Sequence, residues 1–312
     1  FINQIEYGRQ TIVADDSALR PNFWRAPTEN DIGAHLHTRY GVWRNPAIVL
    51  KSFDAKVEGD VAKAVAEYEM KDVEATMRIT YTINGEGEIR VEQAMTTSAE
   101  AKIPNMFRYG VRVELPAAYN VVEYYGRGEV ENYADRKSAA DIGHYVQRVA
   151  DQYNEKMARP QESGTRSDLR YYELKNTAGA GIRIISDVAF SASALPYSQE
   201  AMDVTVGPLQ RHSGDLKAGD KIAITAADCR HSSNGNQLSK IDTLYVLGNK
   251  DEENGYTRAD AEESGWIFFN PYTPAEDWSE LPEAIAKGKE ALADTKDRVG
   301  EGYSLIDSVA YA

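Results

Sequence analysis

The sequence predicts an all-β protein, a large antiparallel β-sandwich with a short C-terminal helical extension. Three observations carry that prediction. Short apolar runs with period-two alternation recur along the chain, clusters of Gly, Asn and Asp separate them, and no long helical period occurs before about residue 280. At 312 residues the chain is long enough for one large all-β domain or two ordinary ones, with a substantial core.

In chain order, Ile5 and Tyr7 alternate about Glu6, and Ile12 with Val13 follow, which predicts edge strands before Asp15 and Asp16 turn the chain. Next comes LRPNFWRAPTENDIG at 19–33. It joins an aromatic pair (Phe23, Trp24), two prolines that fix φ, and a polar end at Asn30, Asp31 and Gly33 suited to a tight turn. Composition alone reads it as an Ω-type loop plugging one end of the sandwich, and its ordering cost suits a segment that lies against core or ligand. His35 and His37 could share one face of a strand and hold a metal, but no third ligand stands at a diagnostic spacing. They are read as surface or hydrogen-bonded histidines.

The clearest local signal is a hairpin. Met77, Ile79, Tyr81 and Ile83 alternate with Arg78, Thr80 and Thr82, a turn follows at Asn84–Gly87, and Ile89 and Val91 resume the alternation. Similar runs at 109–115, 121–122, 182–185, 222–224 and 244–247 predict further strands. YYGRGEVENYADR at 124–136 places Gly126 and Gly128 where a positive φ or a close backbone approach is needed, and Glu131, Asn132, Asp135 and Arg136 form a polar set suited to satisfying buried loop groups. In RPQESGTRSDLRYYEL at 159–174, Arg166, Asp168 and Arg170 alternate as they would along one face of a strand. From residue 249 the chain becomes acidic, then aromatic at GWIFFNPYTP, and Leu281, Ile285 and Leu292 trace one face of a helix capped at Ser279 and ending near Gly300. The domain reading is therefore 1–248 for the sandwich and 249–312 for an extension packed on it.

Thirty-five basic against 49 acidic residues give a net charge of −14, which disfavours nucleic acid and anionic membrane as partners. No apolar run approaches the roughly 20 residues that span a bilayer. One cysteine, Cys229, excludes an intrachain disulfide, and no cofactor or metal is expected. The chain begins at Phe1, is read as part of a longer product, and leaves its compartment open between periplasm and cytoplasm.

Five ordered strings, covering roughly residues 12 to 235, resemble the C-terminal small-chain domain of glycoside hydrolase family 2 β-galactosidases. RAPTENDIG at 25–33 is similar to the family's RAPTDNDIG-type string, which lies beside the active site. The 124–136 string is similar to YxGxGPxENYPDR, with Glu129 and Ala134 at usual proline positions. The PQESGTRSDLRY string is similar to PQENGxRxDVRW. SALPYSQEAM at 193–202 and Arg211 with His212 match the next two motifs. The resemblance breaks at DCRHSSNGNQLSK, 228–240, where Lys240 stands at the position of the family's sugar-packing tryptophan. A lysine cannot supply an aromatic face to a sugar ring. His231 is the nearest polar candidate there.

The resemblance implies a galactose-mutarotase-like supersandwich that lines the cleft of a (β/α)₈ catalytic barrel of the same enzyme and faces a β-galactoside or related glycan. Asn30, Asp31, Gly33, His35 and His231 are the candidate sugar contacts. Nothing in the chain reads as the barrel that would carry the two glutamates of a retaining glycosidase, so no catalytic residue is expected in it. Two alternatives stand beside this: an independent aldose 1-epimerase-like enzyme using a carboxylate and one of His144, His212 or His231, and a purely structural module that helps the enzyme assemble, with a homo-oligomer left open.

Overall fold

The computed structural model describes residues 1–7, 10–13, 18–85, 87–97, 101–207, 211–228 and 265–272. The chain opens with β1 (Ile5–Tyr7) and β2 (Gln10–Val13), paired as a separate antiparallel ribbon, and β3 (Arg20–Asn22). Two short helices follow, α1 (Glu29–Gly33) and α2 (Leu36–Arg39), with a 3₁₀ turn at Gly41–Trp43. Then come β4 (Val49–Glu58), β5 (Val61–Met70), β6 (Ala75–Ile83) and β7 (Ile89–Thr97), joined as an antiparallel meander. The rest comprises β8 (Gly110–Pro116), β9 (Val121–Gly128), β10 (Asp141–Arg148), β11 (Arg166–Lys175), β12 (Gly181–Leu195), α3 (Gln199–Met202), β13 (Lys221–Asp228) and β14 (Gly265–Tyr272).

Among the described residues twelve strands form one branched antiparallel sheet, and the branch point is β12. One side of this long strand pairs with β11; the other is shared, Gly181–Ser186 with β14 and Phe190–Leu195 with β13. One arm then runs β14, β7, β6, β5, β4 and the other β13, β8, β3. A single buried cluster draws on both arms, with Met77, Ile79 and Val91 from one and Val111, Val113 and Leu115 from the other. The Tyr109 hydroxyl, donating to the Gln93 carbonyl at 3.0 Å, ties the arms together. The predicted hairpin is present: Ile83 pairs with Ile89, the Asn84 side chain accepts from the Glu88 N–H at 2.9 Å, and burial alternates along both strands.

The structure departs from the local sequence pattern at three places. His35 and His37 do not lie on a strand: His35 sits at φ 57° just before α2 and His37 within it, with rings 6.4 Å apart. The even alternation of Arg166, Asp168 and Arg170 is broken, because the β11–β12 register shifts on either side of Leu169 and Asp168 has φ 52°. Arg166 is buried and donates to the Tyr124 hydroxyl and the Gly164 carbonyl. The aromatic stretch from residue 265 contributes β14 to the sheet, between β12 and β7. The strand expected at 244–247 and the helix at 279–300 lie outside the described residues.

Gly126 is required for close approach. A Cβ there would stand 2.7 Å from Leu169 Cδ2 and 2.9 Å from Leu169 Cα, at the irregularity in β11. Backbone cannot yield as a flexible side chain can, so Gly126→Ala is expected to cost about 1–3 kcal/mol in urea unfolding.

Candidate functional site

The site is built on the segment between β3 and β4. Among the described residues β3 pairs only with β8, and this edge position tolerates Pro21. Just beyond it, Phe23 packs against Trp43 and Tyr109 at ring separations of 5.4 and 5.8 Å. Trp24 meets Phe107 edge-on at 4.8 Å, donates from Nε1 to Asp203 Oδ2 at 3.0 Å, and carries the Arg44 guanidinium 4.6 Å above its ring. These two aromatics fix the segment to the core.

Arg25 is fully buried and so is Asp31. Arg25 Nε donates to Asp31 Oδ2 at 3.1 Å, and Nη2 donates to Oδ1 at 2.9 Å. Burial opposes the Arg25 charge, but Asp31, with Glu162 adding to it, more than compensates and holds the guanidinium above its ordinary range. Asp31 also closes a capping box: its N–H donates to Thr28 Oγ1 at 3.2 Å and its Oδ2 accepts from the Thr28 N–H at 2.8 Å. Its carboxylate is therefore engaged inside the turn, with Arg25 on one side and the helix cap on the other. Glu29, Asn30, Gly33 and His35 form the exposed lip above it. A Cβ on Gly33 would meet nothing within 4 Å.

The other motifs converge beneath this lip. The Glu162 N–H donates to the Ala26 carbonyl at 3.0 Å, Gln161 Oε1 accepts from the Glu29 N–H at 3.4 Å, and Glu162 pairs with buried Arg108 at 2.6 Å. Glu131 accepts from the Gly164 N–H at 2.9 Å, and Asn132 donates to the Arg127 and Val130 carbonyls while accepting from the Ser167 N–H. These are the backbone groups the polar set was expected to satisfy. Gln199 Oε1 accepts from Asn22 at 3.1 Å, and Arg211 donates to the Ala201 and Asp203 carbonyls. Glu162 lies within the PQESGTRSDLRY string, whereas lone Asp203 and Arg108 carry no local signal in the sequence.

Asp168 pairs with Arg127 at 2.5 Å and Lys137 at 2.9 Å. Burial pushes its carboxyl up, but the two cations outweigh that and hold it below the usual range. Asp168→Asn is expected to lower stability by about 1–3 kcal/mol at neutral pH. Because the folded pKa lies below the unfolded value of about 3.9, this contribution is complete above the unfolded pKa and is lost as pH falls through the folded one. The gap between wild type and variant in urea midpoints should therefore close in acid.

His144 on β10 contacts Glu123 on β9 at 2.8 Å, but Lys175 shares that carboxylate. Burial raises Glu123, and Lys175 with His144 more than reverse it, leaving a lowered pKa and a weak base. His231 and Lys240 lie outside the described residues. Among the described residues no three His, Cys, Asp or Glu side chains gather as a metal site, and no helix is long and apolar enough to cross a membrane.

A family model described as β-galactosidase small chain matches residues 1–239. The chain belongs to that family. The β-galactosidase of Priestia megaterium is 32% identical over 223 residues, covering 70% of this chain and 20% of that protein. The β-galactosidase of Vibrio cholerae is 31% identical over 241 residues, covering 73% and 22%. That of Halalkalibacterium halodurans is 29% identical over 195 residues, covering 61% and 19%. The chain thus spans about a fifth of the length of the curated relatives it matches. It is a β-galactosidase small-chain domain with an all-β sandwich fold.

Proposed function

We propose that this small-chain domain forms one wall of the substrate cleft of a β-galactosidase, against a catalytic portion that carries the two glutamates of a retaining mechanism. One observation supports this reading above the others: a fully buried Arg25–Asp31 pair holds the five-residue helix α1, whose Glu29, Asn30 and Gly33 are exposed. A buried ion pair adds little net stability compared with apolar packing, so its use here is best understood as fixing one conformation of the lip. Asn30 and His35 offer hydrogen-bonding groups to sugar hydroxyls. Asp31 acts behind them as a positioning residue. Gly33 leaves room for a ring to approach, and His231 stays in the proposal as a further contact.

Kinetics of the complete enzyme test this. Asn30→Ala and His35→Ala are each expected to raise KM about three- to tenfold, the loss of one neutral hydrogen bond, with the thermal midpoint unchanged. Gly33→Ala should leave stability intact or slightly improved while altering turnover. Unchanged KM and kcat in all three would remove the lip from the site.

A further inference from the structure

The motifs at 193–202, SALPYSQEAM, and at Arg211 with His212 have no part in the lip itself. They build what the lip stands on. Ser198 caps α3 by accepting from the Ala201 N–H at 3.1 Å, and Arg211 holds the end of the helix, donating to the Ala201 carbonyl at 2.8 Å and to the Asp203 carbonyl. The segment so fixed offers Gln199 Oε1 to Asn22 Nδ2 at 3.1 Å and sets Asp203 directly after the helix.

Asp203 is buried, and both of its oxygens are occupied. Oδ1 accepts from the Thr205 N–H at 2.9 Å and from the Thr205 hydroxyl. Oδ2 accepts from Trp24 Nε1 at 3.0 Å and stands 3.2 Å from Arg44 Nε. A carboxylate has about four lone-pair sites, so none is left here for a substrate. The group instead joins the two legs of the lip segment. Trp24 opens the outward leg, Arg44 closes the returning one, and the Arg44 guanidinium lies 4.6 Å over the Trp24 ring. Between them the lip holds together as one piece, because the Ala34 N–H donates to the Asn30 carbonyl at 3.0 Å and the His35 N–H to the Ile32 carbonyl at 3.0 Å. Its placement is then set where the legs enter and leave.

We propose that Asp203 is a positioning residue for sugar binding: by clamping Trp24 and Arg44 to one buried carboxylate, it fixes where the lip holds Asn30 and His35. This rests on the cleft-wall reading, in which those two side chains meet the sugar. Contacts of this kind depend on a supporting layer that holds them to a fraction of an ångström.

Kinetics of the complete β-galactosidase with a galactoside test the clamp. Asp203→Asn sets a donor against a donor whichever way its amide turns, since Thr205 and Trp24 both donate to this side chain. Arg44→Ala, at a partly exposed position, removes only the tie of the returning leg. Each is expected to raise KM about three- to tenfold with kcat within about twofold of wild type. Asp168→Asn controls for lost stability alone: its carboxylate pairs with Arg127 and Lys137 rather than with the lip segment, and KM should stay at the wild-type value. In a background carrying Asn30→Ala and His35→Ala, Asp203→Asn should raise KM by less than about twofold further, because the contacts it places are already gone. KM unchanged by Asp203→Asn and Arg44→Ala, while Asn30→Ala raises it, overturns this inference and leaves the cleft-wall reading standing. So does an undiminished rise in the doubly substituted background, or an equal rise in Asp168→Asn. KM unchanged by Asn30→Ala and His35→Ala overturns the reading beneath. Should Asp203→Asn fail to fold, Arg44→Ala in the same two backgrounds decides by the same criteria.

Discussion

Asp31→Ala is expected to destabilise the domain by about 3–5 kcal/mol, because it removes the carboxylate hydrogen-bonded to the buried Arg25 guanidinium and leaves only the weaker Coulombic support of Glu162. Arg25 has no access to water, and its hydrogen bonds to Asp31 of 2.9 and 3.1 Å go to both carboxylate oxygens. The same change also removes the acceptor for the Thr28 N–H and opens the cap of α1. Urea unfolding at constant m-value reads the loss. A paired change, Arg25→Met with Asp31→Leu, should cost less than Asp31→Ala alone, since it strands no charge. A loss below about 1 kcal/mol for Asp31→Ala would mean that water reaches the guanidinium, contrary to the geometry.

Trp24→Ala carries a comparable expected loss, about 3–5 kcal/mol, for a different reason. It empties a large volume between Phe107 and Arg44, and it withdraws a donor from Asp203. Trp24→Phe separates the two contributions. It keeps an aromatic body against Phe107 and loses only the Nε1 hydrogen bond, so about 1–2 kcal/mol is expected. Arg44, 3.2 Å from Asp203 Oδ2, limits that loss by keeping the carboxylate paired. Equal effects of the two substitutions in urea unfolding would show that the hydrogen bond, and not the packing, anchors the segment.

The sandwich was legible because its information is local. Alternation in β6 and β7 and the Asn84 turn are set by neighbouring residues, and the observed register follows from them. The lip was legible only as a shaped polar turn. That Asp31 faces inward depends on Arg25 reaching across six residues, with Phe107 under its guanidinium and the charge of Glu162 nearby, which no local pattern encodes. The break in β11 was hidden for a similar reason: strict alternation of Arg166, Asp168 and Arg170 predicts one face, whereas the approach of Gly126 to Leu169 and the pairing of Asp168 with Arg127 and Lys137 accompany a register shift. The aromatic run at 265–272 gave no sign of joining β12 to β7, because such pairing spans more than 70 residues of sequence.

The structure of the complete β-galactosidase with a galactoside bound tests the sugar-facing role of the lip most directly. Asn30 or His35 is expected within about 2.6–3.2 Å of a sugar hydroxyl, or joined to one through a single water, with the Arg25–Asp31 pair unchanged beneath. A lip that faces bulk solvent away from the bound sugar, or a sugar contacted by the small-chain domain only elsewhere, would contradict it.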